Sequence, residues 1–406
     1  MTGFDAAGTP HHGRSWLLVA VLAQAAASGC TPPDATATER ARLASGPRAD
    51  AVIAVAWPWE AGYGLRFGDG VDLAAAEINA AGGVRGRQIT LRRVDDHGTI
   101  DAGQLAAQRI ASDPGIVAVI GHLHSYISLP AAAIYEKAGL VMLSPASTDP
   151  ELTEHGYTRV FRGTFTHTTV GQQMAAYASD RGFKRLALYY VRDAYGRGLA
   201  NAFEAEANRR GLTVVDRQSY DASDSVSAQT FERSVTTSDA LGIDAIFLAG
   251  KVPAAAEFIV AARKHGIRVP ILGGDAMSSA SLVQVAGAAA EGTVVASMFH
   301  PDEPRPAVRQ FTTRFQQRYG ALPDAAAALG YDAVYVLADA MRRAGSFTPD
   351  SVAHALHAGP PWKGVSATFA FDAAGNLQQK DVVRLVVRDG QFVYLGERAL
   401  AQRTAP

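Results

Sequence analysis

The sequence predicts an α/β protein with two lobes, each built around a parallel sheet. Short apolar runs alternate with amphipathic stretches of helical length, and this alternation occurs twice along the chain. Strands that alternate with helices of about 10–15 residues form parallel sheets with right-handed crossovers. The length of 406 residues also agrees with two domains of about 100–200 residues each.

The composition excludes several classes of protein. Hydrophobic residues make up 48% of the chain, which is too many for a disordered protein, and there is no collagen-like Gly-X-Y repeat. The formal net charge is -1, so the excess of Lys and Arg expected of a nucleic-acid-binding protein is missing. A single Cys allows neither an intramolecular disulfide nor a Cys-based zinc site.

The first set of elements begins at residue 51. Ala51–Ala56 is an uninterrupted apolar run, which is typical of a strand buried on both faces. Gly82-Gly83 ends the helix that follows, because glycine readily adopts the left-handed conformation beyond a helix C-terminus. In chain order, the pattern predicts strands Ala51–Ala56, Ile89–Val94, Val117–Ile120 and Leu140–Leu143, and helices Gly68–Ala80, Asp101–Ser112 and Ser125–Ala138.

The second set of elements begins at residue 186, after a stretch rich in Thr and Gly. It predicts strands Leu186–Val191, Leu212–Asp216, Asp244–Ala249 and Pro270–Leu272, and helices Arg197–Arg210, Ala228–Ser238 and Pro253–His265. Asp389-Gly390 is a typical hairpin turn between two closing strands. The remaining predictions are strands Gly292–Met298, Ser366–Phe371, Val382–Val387 and Gln391–Leu395, and helices Ala307–Tyr319 and Ala325–Ala344.

The amino terminus has the pattern of an export signal. Arg14 precedes an apolar run from Trp16 to Ala27, which is too short to span a bilayer. The run ends in small residues before Cys30, which is typical of a lipoprotein signal peptide over residues 1–30 with lipidation at Cys30. An ordinary secretory signal that contains a Cys is the alternative. Residues 31–50 are polar and aperiodic, which predicts a flexible tether, and no later stretch predicts another membrane segment.

The chain lacks the patterns of familiar enzymes and cofactor sites. Gly62-Tyr63-Gly64 is followed by Gly68, one residue too late for the dinucleotide fingerprint G-x-G-x-x-G. His122-Leu123-His124 supplies too few ligands for zinc, and a turn with a packed His is the favoured interpretation. Asp95-Asp96 is more typical of a turn than of a catalytic carboxylate pair. We therefore expect no catalytic residues, no metal and no cofactor.

Four segments in order carry a family resemblance. They are EINAAGGVRGRQITLRRVDD, IGHLHSYISLPAAAIYEKAGLVMLSPASTDPELT, DAYGRGLANAF and AEGTVVASM. Together they resemble the branched-chain amino-acid-binding proteins, which are periplasmic receptors of ABC importers, over roughly residues 51 to 395. The resemblance implies the type I periplasmic binding protein fold, in which three hinge strands join two α/β lobes that close on a ligand.

The resemblance also implies where the chain crosses between the lobes. We place the crossings near Phe165–Thr169, Phe299–Asp302 and Lys380–Val386. The first lobe would then comprise residues 51–166 and 300–382. The second lobe would comprise residues 167–299 and 383–406.

The resemblance assigns five ligand-binding positions to the first lobe. Tyr63 matches an aromatic residue that covers the ligand, and Tyr331 matches a Tyr from a late helix. Ser125 matches a Ser that binds the ligand carboxylate, which is physically reasonable because the amino terminus of a helix favours an anion. Ala146 and Thr148 match positions whose carbonyl and hydroxyl groups hold the ligand ammonium and carboxylate.

Three further positions belong to the second lobe. Tyr195 matches a Tyr in the D-x-x-Y-G turn. Asp275 matches an acidic residue that pairs with the ligand ammonium, and the alternative is that it caps the helix expected near Ser278. Lys251 stands where the family has a Tyr. Its ammonium could pair with Asp275, accept an acidic or carbonyl group of the ligand, or point to solvent.

The expected function is that of an exported substrate-binding lipoprotein of an ABC importer, which captures an amino acid or an amino-acid-like amide. Its partners would be the ABC permease and ATPase subunits, its only attachment to the membrane would be the lipid anchor, and we expect a monomer. An exported ligand-sensing regulatory protein on the same fold is the alternative, because fold does not determine function. An NAD-dependent dehydrogenase is a third interpretation, which the imperfect glycine pattern disfavours.

Overall fold

The computed structural model describes residues 35–47, 50–61, 65–221, 241–378 and 381–396. The chain divides into two compact units, Met1–Pro33 and Asp34–Pro406, and every described residue belongs to the second unit. No helix in these ranges is both long and apolar enough to cross a membrane. The predicted export signal and Cys30 lie outside the described residues.

The first sheet has five parallel strands in the order β2-β1-β3-β4-β5. All residues of its second strand in this order are buried from Ala51 to Trp57, because helices cover both faces of the sheet. The strands are β1 Asp50–Trp57, β2 Gln88–Asp95, β3 Ile116–Gly121, β4 Val141–Ser144 and β5 Val160–Arg162.

Helices from two distant parts of the chain pack on this sheet. The early helices are α2 Phe67–Ala80, α3 Ile100–Ser112 and α4 Ser125–Lys137. The late helices are α9 Pro306–Tyr319, α10 Ala325–Ala344 and α11 Pro349–Ala358. One apolar core combines side chains of α2 with those of the late helices, whereas α3 and α4 contribute to a separate core against the same sheet.

The second sheet has seven strands in the order β14-β13-β10-β9-β8-β6-β7. The five strands from β10 to β7 are parallel, and β13 and β14 add an antiparallel edge. The strands are β6 Arg185–Val191, β7 Thr213–Tyr220, β8 Ala245–Ala249, β9 Ile271–Gly273, β10 Val294–Ser297, β13 Val383–Arg388 and β14 Gln391–Tyr394. The helices around it are α5 His167–Asp180, α6 Ala194–Arg209, α7 Ala254–Lys264 and α8 Ala280–Ala286.

The predicted fold class is therefore confirmed, since two largely parallel sheets carry helices on their faces. Most predicted elements end within a few residues of the observed ones. The predicted strand Ser366–Phe371 contains only the short strand β12, Thr368–Phe369, which pairs with β11, Trp362–Lys363. The predicted helix Ala228–Ser238 lies outside the described residues, and the limits of the lobes and the positions of the crossings stay predictions.

Residues 35–45 correct the prediction of a tether over residues 31–50. Ala35–Ser45 forms helix α1, and its Arg40 is fully buried. The Arg40 guanidinium donates hydrogen bonds to the carbonyl oxygens of Ile116 at 3.0 Å, Ala111 at 2.6 Å and Asp113 at 3.2 Å, and also to that of Ala138. The helix docks through an arginine instead of an apolar stripe, which explains why hydropathy did not reveal it.

Candidate ligand-binding site

Six of the eight predicted site residues follow the carboxyl ends of strands in the two sheets. Ser125 lies beyond β3 and Thr148 beyond β4, while Tyr195, Lys251 and Asp275 lie beyond β6, β8 and β9. Ligands of open α/β sheets bind in the crevice beyond the carboxyl ends of the strands. Tyr63 lies outside the described residues.

Ser125 is the first residue of helix α4. Its relative exposure is 9%, and the preceding residue, His124, has an extended backbone and no side-chain hydrogen bond that caps the helix. The Ser125 hydroxyl makes no hydrogen bond with any other described residue. The turn therefore presents an uncommitted hydroxyl beside the positive end of a helix dipole, an arrangement that suits a carboxylate.

Thr148 lies in the neighbouring turn, beyond β4. It is 2% exposed, and its carbonyl oxygen accepts a hydrogen bond from the amide of His167 at 2.7 Å. Within the described part of the chain, no group hydrogen-bonds to its hydroxyl. Ala146, in the same turn, is partly buried against the first core. Since β3 and β4 are paired, Ser125 and Thr148 belong to adjacent turns at one edge of the sheet.

A buried polar network supports these two turns. The ring of His122 contacts the Asp96 carboxylate through Nδ1 at 2.7 Å and the Tyr135 hydroxyl through Nε2 at 3.1 Å, and all three side chains are fully buried. Ser128 and Ser147 join the two turns through their hydroxyls at 2.5 Å. Both ring nitrogens of His122 are thus engaged, which agrees with a packed His in a turn. Sequence reasoning singled out Asp96 and His122 separately but did not link them.

On the second sheet, Tyr195 and Asp275 form a pair. The Tyr195 hydroxyl donates to Asp275 Oδ1 at 3.0 Å and accepts from the amide of Ala276 at 3.2 Å. Burial raises the pKa of Tyr195 well above its usual value, so the phenol stays protonated. Helix α8 is capped by Ser279, whose side chain accepts from the amide of Ser281, so the alternative of a capping role for Asp275 is wrong.

Lys251 forms an ion pair with Asp193. The distance from its Nζ to Asp193 Oδ2 is 2.5 Å, and 23% of the lysine side chain is exposed. The same ammonium lies 5.2 Å from the ring centre of Tyr195 and 5.6 Å from that of Tyr126, within the range of cation–π attraction. Tyr126 belongs to α4 of the first sheet, so Lys251 lies where the turns of the two sheets meet. Asp193, which the sequence analysis did not select, is thus part of the site.

The charge of Lys251 affects the pKa of His124. Its pKa is lowered to about 4, first by burial and second by the nearby Lys251 ammonium. Its ring stacks on that of Tyr126, with 5.0 Å between the ring centres. His124 is therefore neutral near pH 7, and the charged side chains that act on it include Lys251, Asp96 and Asp193.

Tyr331 makes its described hydrogen bonds away from these turns. Its hydroxyl donates to Glu77 Oε2 at 2.6 Å and accepts from the Arg314 guanidinium at 2.9 Å, which ties α10 to α2 and α9. Burial and the adjacent Glu77 carboxylate raise the pKa of Tyr331. The ligand contact assigned to Tyr331 by resemblance stays a prediction, as do those of the other site residues.

The chain is similar to known proteins. The sequence profile of the periplasmic binding protein family matches residues 58–391, which include all the described turns of the site. The chain belongs to this family. It is thus a solute-binding protein and not an enzyme, and family membership implies an extracytoplasmic location.

Three individual proteins are similar to this binding protein in sequence or in structure. It is 30% identical over 318 residues to Leu/Ile/Val-binding protein homolog 1 of Brucella suis, across 77% of this chain and 83% of the relative. An ABC transporter substrate-binding protein of Desulfitobacterium hafniense, solved in complex with leucine, is 41% identical, with a TM-score of 0.78 over 85% of this chain and 100% of that one. A leucine-binding protein of Thermotoga maritima has 29% identity and a TM-score of 0.78 over 85% and 98% of the two chains.

Proposed function

We propose that this binding protein is the extracytoplasmic substrate-binding component of an ABC importer and that it captures an amino acid or an amino-acid-like amide between its two lobes. The observation that carries the proposal is the placement of two buried, uncommitted hydroxyls, Ser125 and Thr148, at one sheet edge, and of the Tyr195–Asp275 pair at the other. Its partners would be the permease and ATPase subunits, and the receptor would act as a monomer.

The chemistry of the two edges is complementary to a zwitterion. A carboxylate would accept hydrogen bonds from the Ser125 and Thr148 hydroxyls and from the amides that begin α4. An ammonium would donate to the Asp275 carboxylate, which Tyr195 holds in position, and to the carbonyl of Ala146. The leucine complex of the Desulfitobacterium relative supports an α-amino acid as the ligand class.

Export and anchoring are part of the same proposal. The apolar run before Cys30 suits a lipoprotein signal, and lipidation of Cys30 would hold the receptor at a bacterial membrane surface or in the periplasm. Mass spectrometry of the membrane fraction tests this step. We expect an acylated peptide that begins at Cys30, and an unmodified mature amino terminus would contradict the anchor.

Ligand binding is tested by a thermal-shift screen of branched-chain, acidic and amide-bearing amino acids, followed by titration calorimetry. A ligand at 100 times its Kd should stabilise the fold by about 2.7 kcal/mol. Ser125→Ala should weaken binding at least about tenfold, because a charge-assisted hydrogen bond contributes about 1.5–3 kcal/mol. Ser112→Ala, on the exposed end of α3, is the matched control. If no compound of the panel shifts the melting temperature, the proposed function is wrong.

A further inference from the structure

The Lys251 ammonium places a positive charge in the candidate site, although a receptor for amino acids with neutral side chains has no need of one. In the second sheet β8 lies between β9 and β6, so the turn of Lys251 is flanked by the turns of Asp275 and Tyr195. Tyr126, from the opposite sheet, approaches the same ammonium and directly follows Ser125. Lys251 therefore lies beside Tyr126, which adjoins Ser125, and beside Tyr195, which is hydrogen-bonded to Asp275.

Asp193 compensates this charge from within its own turn. Its Oδ2 is 2.5 Å from Lys251 Nζ, and its Oδ1 accepts the amide of Gly196 at 2.8 Å as the N-cap of α6. The second contact fixes the carboxylate in place, since it also stabilises the first turn of the helix. The two opposite charges are about one quarter exposed, at 23% and 29% of their side-chain surface, so solvent screens their attraction only in part.

We propose that Asp193 sets the charge preference of the site by neutralising Lys251, which makes the receptor selective for amino acids with an uncharged side chain. This inference rests on the proposed function and narrows its ligand class. A carboxylate side chain of a ligand near the pair would be attracted by Lys251 but repelled by Asp193, and a cationic side chain would be attracted by Asp193 but repelled by Lys251. Each member of the pair thus repels the ligand that its partner would attract.

The test compares the wild type, Asp193→Asn, Lys251→Met and the double variant by calorimetry with leucine, glutamate and lysine. Asparagine is also a good N-cap, so it keeps an acceptor for the amide of Gly196 while removing the charge. We expect the ratio of glutamate to leucine affinity to rise at least about tenfold in Asp193→Asn, because the ammonium becomes available for a charge-assisted hydrogen bond. The double variant should lose this gain, and 0.5 M salt should reduce it.

Lys251→Met supplies an independent arm should Asp193→Asn fail to fold. It leaves the Asp193 carboxylate without its cation, so the ratio of lysine to leucine affinity should rise. If the wild type binds leucine but neither single variant changes its charge preference, the role of Asp193 is overturned and the proposed function stands. If the wild type binds no amino acid, the proposed function fails and this inference fails with it.

Discussion

At the scale of the residue, burial determines the charge state of His124. The ring is largely enclosed and lies near the Lys251 ammonium, so the folded protein disfavours the imidazolium and the pKa falls to about 4. An unfolded chain restores the usual value of about 6.5. Between these two values the unfolded state binds more protons than the folded state, and stability therefore rises with pH across this window.

We expect His124→Phe to flatten the acid side of the stability curve. In the wild type, the contribution of His124 to the free energy of unfolding is fully present above about pH 6.5. It falls as the pH drops toward 4, by an amount on the order of 2–3 kcal/mol. Phenylalanine keeps the stacking on Tyr126 without a titrating group. Chemical denaturation from pH 4 to 8 measures the effect, with His155→Gln on the exposed surface as the control.

His167 and His300 also have pKa values lowered by burial, so they contribute to the acid side of the wild-type curve. The difference between the wild type and His124→Phe isolates the part that belongs to His124. Identical curves for the two proteins would contradict the assigned pKa.

At the scale of the element, helix α1 depends on one arginine. Arg40→Ala removes four hydrogen bonds to backbone carbonyls beneath the helix, of which three are buried and that to Asp113 is partly buried. A buried carbonyl without a donor costs about 1–3 kcal/mol. Because water can hydrogen-bond to these carbonyls once α1 has detached, we expect the helix to detach from the sheet in this variant. Hydrogen exchange of residues 35–45 should accelerate strongly.

Arg42 is the matched control for Arg40, because it belongs to the same helix but its side chain is exposed and forms an ion pair with Glu39 of that helix. Arg42→Ala should leave exchange in α1 nearly unchanged, since exposed ion pairs contribute about 0–1 kcal/mol. Equal exchange in the two variants would show that Arg40 does not hold the helix.

The contact between α2 and α10 depends on the absence of a side chain. A Cβ at Gly70 would lie 2.0 Å from the carbonyl oxygen of Ala327, so Gly70→Ala must push the two helices apart. We expect a loss of at least about 2 kcal/mol in the free energy of unfolding, in the range of overpacked cores. Gly46→Ala, whose nearest neighbour would be at 3.5 Å, should change it by less than about 1 kcal/mol.

At the scale of the whole molecule, the proposed ligand would connect the two sheets. One set of groups follows β3 and β4, the other follows β6, β8 and β9, and Lys251 already contacts Tyr126 across them. Saturation with leucine should therefore slow hydrogen exchange in residues 122–128 and 193–196 together, since closure protects both faces. Protection of only one of these segments would contradict capture between lobes.

Much of the fold was predictable from the sequence because parallel strands buried on both faces are continuous apolar runs. Ala51–Ala56 was recognised in this way and lies within β1, and Asp244–Ala249 was recognised likewise and contains β8. Helix α1 was missed because its buried group is Arg40, and an arginine in a sequence is normally expected at the surface. Helix α5 was missed because its sequence, HTTVGQQMAAYASD, mixes small and polar residues and so obscures the apolar stripe.

The fold class, the family and the positions of the turns beyond the strands could be inferred from the sequence, because local periodicity and ordered motifs require no knowledge of distant contacts. The groups that each charge in the site faces could be identified from the folded structure and not from the sequence. The ion pair between Lys251 and Asp193 joins residues 58 positions apart, and the network around His122 joins two turns that the sequence showed separately. Such contacts depend on which strands lie side by side, and pairing over long sequence separations is set by the packing of the whole chain.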